Sequence, residues 1–366
     1  MTERIKKICD RFCFDGNAVS VEPTGCGHIN DTFRVLTDTN NEYLLQRMNH
    51  NVFDDIDGLM QNVGGVTEHI KGKILAEGGN PERECLTIIP TVDNKFYIND
   101  TDGCWRAYIY INDTITLQTA QNRNEMHSAG LAFGKFQAML GDYPAETLNE
   151  TIPDFHNTPK RYQNFLTAVA KDSYHRVASA AEEIAWVKSH KAYCSLLTDK
   201  LDGGEIPIRV THNDTKINNC MLDAKTGAPL VVIDLDTVMP GLAAYDFGDA
   251  IRFGATFAAE DETDLSKVKF ELELFEGFAQ GFMEGCGKMF TKDEVLSLPL
   301  GCIIMTMECG MRFLTDYLDG DRYFKTKYKR HNLDRCRTQF ALADQMIENL
   351  NKMNKIVLKH YKKVLG

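Results

Sequence analysis

The alternation of hydrophobic and polar positions changes rhythm about a third of the way along the chain. Up to residue 111 the apolar residues come in short runs, at 18–22, 31–36, 42–48, 86–90, 95–98 and 105–111, separated by Gly, Asn and Asp. Runs of this length, rich in β-branched and aromatic residues and bounded by turn formers, predict strands. A longer stretch at 55–76 has helical character, so the first third predicts a small antiparallel sheet with an inserted helix. From about residue 121 the period lengthens. Met126, Leu131, Phe133, Phe136 and Leu140 suit one face of a long helix, and further helical stretches are predicted near 159–171, 181–199, 266–285 and 335–363. One strand pair stands out beyond that point, 220–223 and 230–234, joined by the turn-rich Ala-Lys-Thr-Gly-Ala-Pro. The expected architecture is α+β: a β-rich N-terminal lobe over 1–111 and a larger, mainly helical lobe over 112–366. A chain of 366 residues exceeds the usual size of a single compact domain, which agrees with two lobes.

Composition narrows the chemistry. Hydrophobic residues make up 43% of the chain, as in ordinary globular proteins. The N-terminus is charged and no stretch is expected to approach the roughly 18 apolar residues of a spanning helix, so a cytoplasmic protein without a membrane partner is expected. With 41 basic against 52 acidic residues the net charge is -11, which argues against a broad nucleic-acid or anionic-lipid surface. An anionic ligand would then be held locally, by backbone amides, a few cations or a metal ion. The 11 cysteines include no Cys-x-x-Cys pair, so zinc and dithiol chemistry lack their spacing and reduced, buried thiols are expected. No protein partner is implied.

The chemistry concentrates in Thr211-His212-Asn213-Asp214-Thr215-Lys216-Ile217-Asn218-Asn219. His-x-Asp-x-x-x-x-Asn is the spacing of a kinase catalytic loop, whose Asp orients the acceptor hydroxyl and whose Asn binds magnesium. One short loop must present both side chains to one transferring phosphoryl group, which is why the two lie so close in sequence. Asp234 ends the following apolar strand and offers a second hard oxygen of the kind magnesium prefers. Asp214 is thus the candidate base, with Asn219 and Asp234 as candidate metal ligands. His212 reads as a buried scaffold. Lys216 either reaches the transferring phosphate as a mobile charge or is a solvated lysine. Asp246-Phe247-Gly248 spells the metal-binding tripeptide of protein kinases but lies too far on, so Asp246 is expected to receive hydrogen bonds from the catalytic-loop backbone. Asp249 and Arg252, three apart, predict an ion pair.

Near the N-terminus, Thr24-Gly25-Cys26-Gly27-His28-Ile29-Asn30 joins two predicted strands. Glycines there let backbone amides approach phosphate oxygens, which makes Gly25, Gly27 and Asn30 candidate ATP-binding residues. The chain has no Walker-type phosphate loop. In the strand 43–48, Gln46 stands where kinases usually place a phosphate-binding lysine, and Arg47 points to the opposite face. Lys216 is the residue left to compensate.

These strings, with Met-Glu-Cys-Gly-Met-Arg-Phe-Leu at 307–314 and Lys-Tyr-x-x-His-Asn-Leu at 327–333, resemble the aminoglycoside-phosphotransferase superfamily and, within it, the N-acetylhexosamine 1-kinases. The resemblance spans nearly the whole chain. It implies a bilobal protein-kinase-like fold and, with ATP and Mg2+ as cofactors, phosphoryl transfer to the anomeric hydroxyl of N-acetylglucosamine or N-acetylgalactosamine. It places nucleotide near Tyr110 and Asn112, and sugar contacts on His28, Arg312 and Tyr323. From the residues alone, Glu308, Arg312 and Asp316 on one helical stripe equally predict an exposed salt-bridge ladder, and Tyr323 a packing aromatic. Two alternatives stay open: a kinase of another small hydroxylated acceptor, such as another sugar, an amino alcohol or an aminoglycoside, and a non-catalytic nucleotide-binding regulator.

Overall fold

A computed structural model describes residues 3–25, 30–49 and 55–366, which fall into two compact units. The first comprises Met1–Ile115, Asp142–Ile152 and Met221–Met239; the second comprises Thr116–Gly141, Pro153–Cys220 and Pro240–Gly366.

The first unit is built on an antiparallel sheet of β1 (Ala18–Pro23), β2 (Asp31–Thr37), β3 (Glu42–Met48), β4 (Ile88–Ile89), β5 (Ile98–Asp100) and β6 (Gly103–Ile109). The order is β1-β2-β3-β6-β4, with β5 also paired to β6. Helix α1 (Glu3–Cys9), which the sequence pattern does not predict, supplies Ile8 and Cys9 to a core with Val35, Leu45 and Ala107 on one sheet face. The longer α2 (Ile56–Ala76) starts where its N-cap Asp55 accepts a 2.8 Å hydrogen bond from the Gly58 amide. A single turn, α3 (Pro81–Glu84), leads into β4. The β3–β6 register sets Gln46 directly opposite Arg106.

The second unit is helical: α4 (Arg123–Met139), α5 (Thr158–Lys171), α6 (Ala181–Ser189), α7 (Leu196–Asp202), α8 (Ala243–Gly254), α9 (Leu272–Cys286), α10 (Lys292–Leu318) and α11 (His331–Leu365). The helix predicted over 181–199 breaks at residue 190. There the Ser189 hydroxyl and the His190 ring both bond the Trp186 carbonyl, at 2.8 and 2.9 Å, and compete with the next helical turn. Helices α4 and α9 meet along a seam of glycines, Gly130 and Gly134 against Gly277, Gly281 and Gly285. A Cβ on Gly281 would stand 2.0 Å from the His127 carbonyl oxygen, so only glycine permits this approach.

Helix α10 corrects one expectation: by length and composition it is apolar enough to cross a membrane. In the fold it packs against α5, α8 and α11, and 83% of its most apolar window is buried. A helix apolar on every side belongs in a core, which is where this one lies. Among the described residues the cysteines form no disulfide, and most are buried, as expected.

Candidate functional site

In the second unit the chain leaves the short strand Arg209–Thr211 and turns sharply at Asn213, whose φ of 63° is left-handed. Asn is among the few residues that tolerate this conformation. Buried Asp246, from the first turn of α8, fixes the turn. Its carboxylate accepts the backbone N–H groups of His212 and Asn213 at 2.9 and 2.8 Å, and the Gln137 side-chain amide at 2.8 Å. The Thr215 hydroxyl donates to the Asp246 carbonyl at 2.5 Å. Burial pushes the Asp246 carboxyl up, against the lowering effect of His212 and these donors. Asp246 is thus the loop's backbone anchor, as its position in the sequence predicts. His212 is fully buried, gripped edge-on by Phe133 and Phe136, and its Nδ1 accepts the Asp214 amide at 3.2 Å.

This loop brings Asp214, Lys216 and Asn219 together. The Asn219 Nδ2 donates to the Asp214 carbonyl oxygen at 2.8 Å and to its Oδ2 at 3.2 Å, which leaves Asn219 Oδ1 as the atom suited to a hard cation. Lys216 Nζ lies 2.8 Å from Asp214 Oδ1. Burial would lower the Lys216 ammonium, but Asp214, with Asp249 beyond it, outweighs burial and holds it above its ordinary value. Asp249 and Arg252 form the expected ion pair at 2.8 Å, both buried.

Asp234 belongs to the first unit. It follows the strand Pro229–Val232, is exposed, and has a left-handed φ of 62°. The turn after it is anchored by buried Leu235 and Asp236, and Asp236 pairs with Arg106 at 2.5 Å. Asn30 Nδ2 donates to Asp236 Oδ2 at 2.8 Å, so this residue of the glycine loop is tied to the acidic turn. Gly25 has φ 82°, a conformation suited to glycine. Gly27 and His28 lie outside the described residues. Tyr110 sits just beyond β6 with the Arg34 guanidinium 4.8 Å over its ring, and the carbonyl of exposed Asn112 accepts from Arg83 at 2.9 Å.

The second unit also gathers Arg312 and Tyr323. The Arg312 guanidinium carbon lies 5.6 Å from the ring centres of Phe155 and Phe324 and 5.8 Å from that of Tyr323. The salt-bridge ladder at 308, 312 and 316 does not form, because its two acids are buried and otherwise engaged. Glu308 accepts from the Thr158 hydroxyl at 2.6 Å and lies 2.9 Å from His156 Nδ1. Burial would raise its carboxyl, but His156, then Thr158 and Arg312, outweigh burial and hold it below the usual range. Asp316 accepts the backbone N–H groups of Arg322, Tyr323 and Phe324 at 2.9, 2.8 and 3.0 Å, and the Asn332 amide at 2.9 Å. The string at 327–333 therefore braces the segment that carries Tyr323.

Sequence reasoning passed over Arg106, His156, Glu308 as a buried anchor, and Asp236. A lone charge inside an apolar strand was the available signal for Arg106.

Among the described residues no group of three or more His, Cys, Asp or Glu side chains is arranged to hold a metal. Of the two ligands expected from the sequence, Asn219 presents its amide oxygen in the second unit and Asp234 an exposed carboxylate in the first, and each by itself is an oxygen donor of the kind magnesium takes.

Comparison with solved structures places the fold among small-molecule kinases. A microcompartment-associated aminopropanol kinase matches with a TM-score of 0.61 at 14% identity, over 96% of this chain and 98% of that one. A choline kinase from Cryptosporidium parvum matches at 0.60 and 14%, over 100% of both chains. An amicoumacin kinase in complex with AMP-PNP, Ca2+ and Ami matches at 0.59 and 12%, over 94% of both. At these identities the likeness is one of fold, a kinase-like α+β architecture with an antiparallel sheet in the N-terminal lobe and helices in the C-terminal lobe. The model of the phosphotransferase enzyme family matches residues 20–270, which runs from the first sheet strand past Asp214, Asp234 and Asp246 and takes in more than half of the sequence, and the chain belongs to that family.

Proposed function

We propose that the protein is an ATP- and magnesium-dependent kinase that phosphorylates the anomeric hydroxyl of an N-acetylhexosamine, with Asp214 as the base. The observation that carries the reading is the loop at 212–219, where Asp214 is presented on a backbone pinned by Asp246 and cross-braced by Asn219. Asp214 orients the acceptor hydroxyl and takes its proton as the phosphoryl group moves. Lys216, already beside Asp214, offers positive charge to the group in transit. Magnesium, when bound through Asn219 and Asp234, supplies neutralisation of the phosphate oxygens. The nucleotide and divalent ion held by the amicoumacin kinase support this cofactor pair.

The surroundings of Arg312 favour a neutral acceptor over an amine. Arg161 lies close enough that burial and the Arg312 charge both lower its guanidinium, and Glu308 and Asp249 are already bound to His156 and Arg252. Two guanidiniums with no uncommitted acid among these groups repel a cationic head, whereas an acetamido sugar offers a carbonyl and hydroxyls to such donors. The alternative acceptor, an amino alcohol like those named for the aminopropanol and choline kinases, is the reading this arrangement disfavours.

ADP release over a panel of sugars and amino alcohols, with phosphorus NMR on the product, tests the proposal. N-acetylhexosamines are expected to be turned over with phosphate at C1; phosphate on another hydroxyl, or turnover of amines alone, refutes the sugar 1-kinase reading. Asp214→Asn is expected to lower kcat by about 10²- to 10⁴-fold with a smaller change in nucleotide KM. Unchanged turnover would remove Asp214 from the mechanism.

A further inference from the structure

The first unit buries an arginine that the catalytic loop does not use. Arg106 lies within β6 and is 2% exposed. A guanidinium in such a place must be compensated, and here the compensation is specific. Its Nε donates to Gln46 Oε1 at 3.0 Å, its Nη1 stands 2.5 Å from Asp236 Oδ1 and 3.8 Å from Met60 Sδ, and its Cζ lies 5.3 Å from the Tyr108 ring centre. Gln46 occupies the strand position where kinases carry a fixed cation, and the residue opposite it in the ladder, on the same sheet face, is Arg106. The cation is present, one strand over.

Its counter-ion lies two residues after Asp234. Asp236 is 5% exposed and Leu235 3%, whereas Asp234 is exposed and left-handed, so the turn Leu235–Thr237 is nailed down while its leading residue faces out. Asn30 holds Asp236 from the second side, and Asn62 Nδ2 donates to the Val238 carbonyl at 2.9 Å beyond the turn. A buried ion pair is a poor source of net stability, because apolar residues of similar volume often serve as well, so stability alone does not account for this one.

We propose that Arg106, acting through Asp236, is the positioning residue that sets Asp234 for magnesium-nucleotide binding, in place of the strand lysine. This rests on the kinase reading above. Groups that hold a metal ligand from behind govern metal affinity without touching the metal.

The test is ADP binding by isothermal titration calorimetry, with and without Mg2+, for the full chain and its Arg106→Met, Arg106→Lys and Asp236→Asn variants, with melting temperatures measured alongside. In the wild type, Mg2+ is expected to tighten ADP binding. Arg106→Met and Asp236→Asn are each expected to lose about tenfold or more of that tightening, with metal-free ADP affinity changed by no more than about twofold. Arg106→Lys keeps the charge but loses the planar fork that joins Gln46 to Asp236, and is expected to fall between. Equal losses with and without Mg2+, or a lowered melting temperature with the magnesium effect intact, would reduce Arg106 to a structural residue and overturn the proposal. Should Arg106→Met fail to fold, Asp236→Asn and Arg106→Lys carry the same comparison. A wild type whose ADP affinity ignores Mg2+ would overturn the kinase reading itself, and this inference with it.

Discussion

Replacing Asp246 by alanine separates the scaffold of the loop at 212–219 from the chemistry proposed for it. The Asp246 carboxylate accepts three N–H donors, two of them the backbone amides of His212 and Asn213. Gln137 keeps the Val210 carbonyl at 3.1 Å as an alternative, but the two amides would be left buried without an acceptor. At about 1–3 kcal/mol for each unsatisfied donor, the gross loss is about 2–6 kcal/mol. Part of this is recovered, because the carboxylate is itself held in a place that raises its pKa, and removing it relieves that cost. A net destabilisation of about 3 kcal/mol is the expected balance. The left-handed Asn213 would also lose the bonds that hold it, and a relaxed turn moves Asp214, the residue after it. Urea denaturation followed by circular dichroism should therefore show a lowered midpoint, and ADP release under conditions where the variant remains folded should show a reduced kcat. Asp246→Asn, which keeps one acceptor oxygen and sets an NH2 among donors, should lie between wild type and alanine in both assays. If Asp246→Ala stays within about 0.5 kcal/mol of wild type, the range of an ordinary surface change, or keeps full turnover, the anchoring argument is wrong.

Two further expectations concern other parts of the fold. Gly281→Ala puts a methyl 2.0 Å from one backbone atom of α4 and 2.7 Å from another, so the helices must separate, at a cost of about 1–3 kcal/mol; an unchanged melting temperature would contradict the seam. Asp142 is held down to about 2 by Lys73 and then His69, so its contribution to stability is present above its ordinary value of 3.8 and disappears as pH falls through about 2. Asp142→Asn should accordingly be less stable than wild type near neutrality and converge with it in acid, which a series of thermal melts from pH 6 down to about 2 would show.

Much of the site was legible in sequence because its parts are local. Asp214, Lys216 and Asn219 fall within six residues, and Asp249 with Arg252 within one helical turn, so spacing alone brings each set together. The anchoring role of Asp246 followed from its being the surplus acid in a familiar tripeptide. What stayed hidden depends on contacts made across long stretches of chain. Glu308 reads as part of a surface stripe until α5 brings Thr158, and the segment before it His156, against α10. Arg106 and Asp236 meet only once β6 and the acidic turn share one unit. Helix α10 lacks a broad polar face, so its sequence carries little amphipathic period to announce it, and it mimics a membrane span for the same reason.

The way Asp316 holds the segment beside Arg312 separates the path of the main chain from the side chains it carries. One carboxylate grips three successive main-chain amides, and those bonds are indifferent to which side chains the three residues carry. The main-chain path at 322–324 is therefore set by Asp316, itself held by Asn332, and a substitution at Asp316 would release all three residues at once.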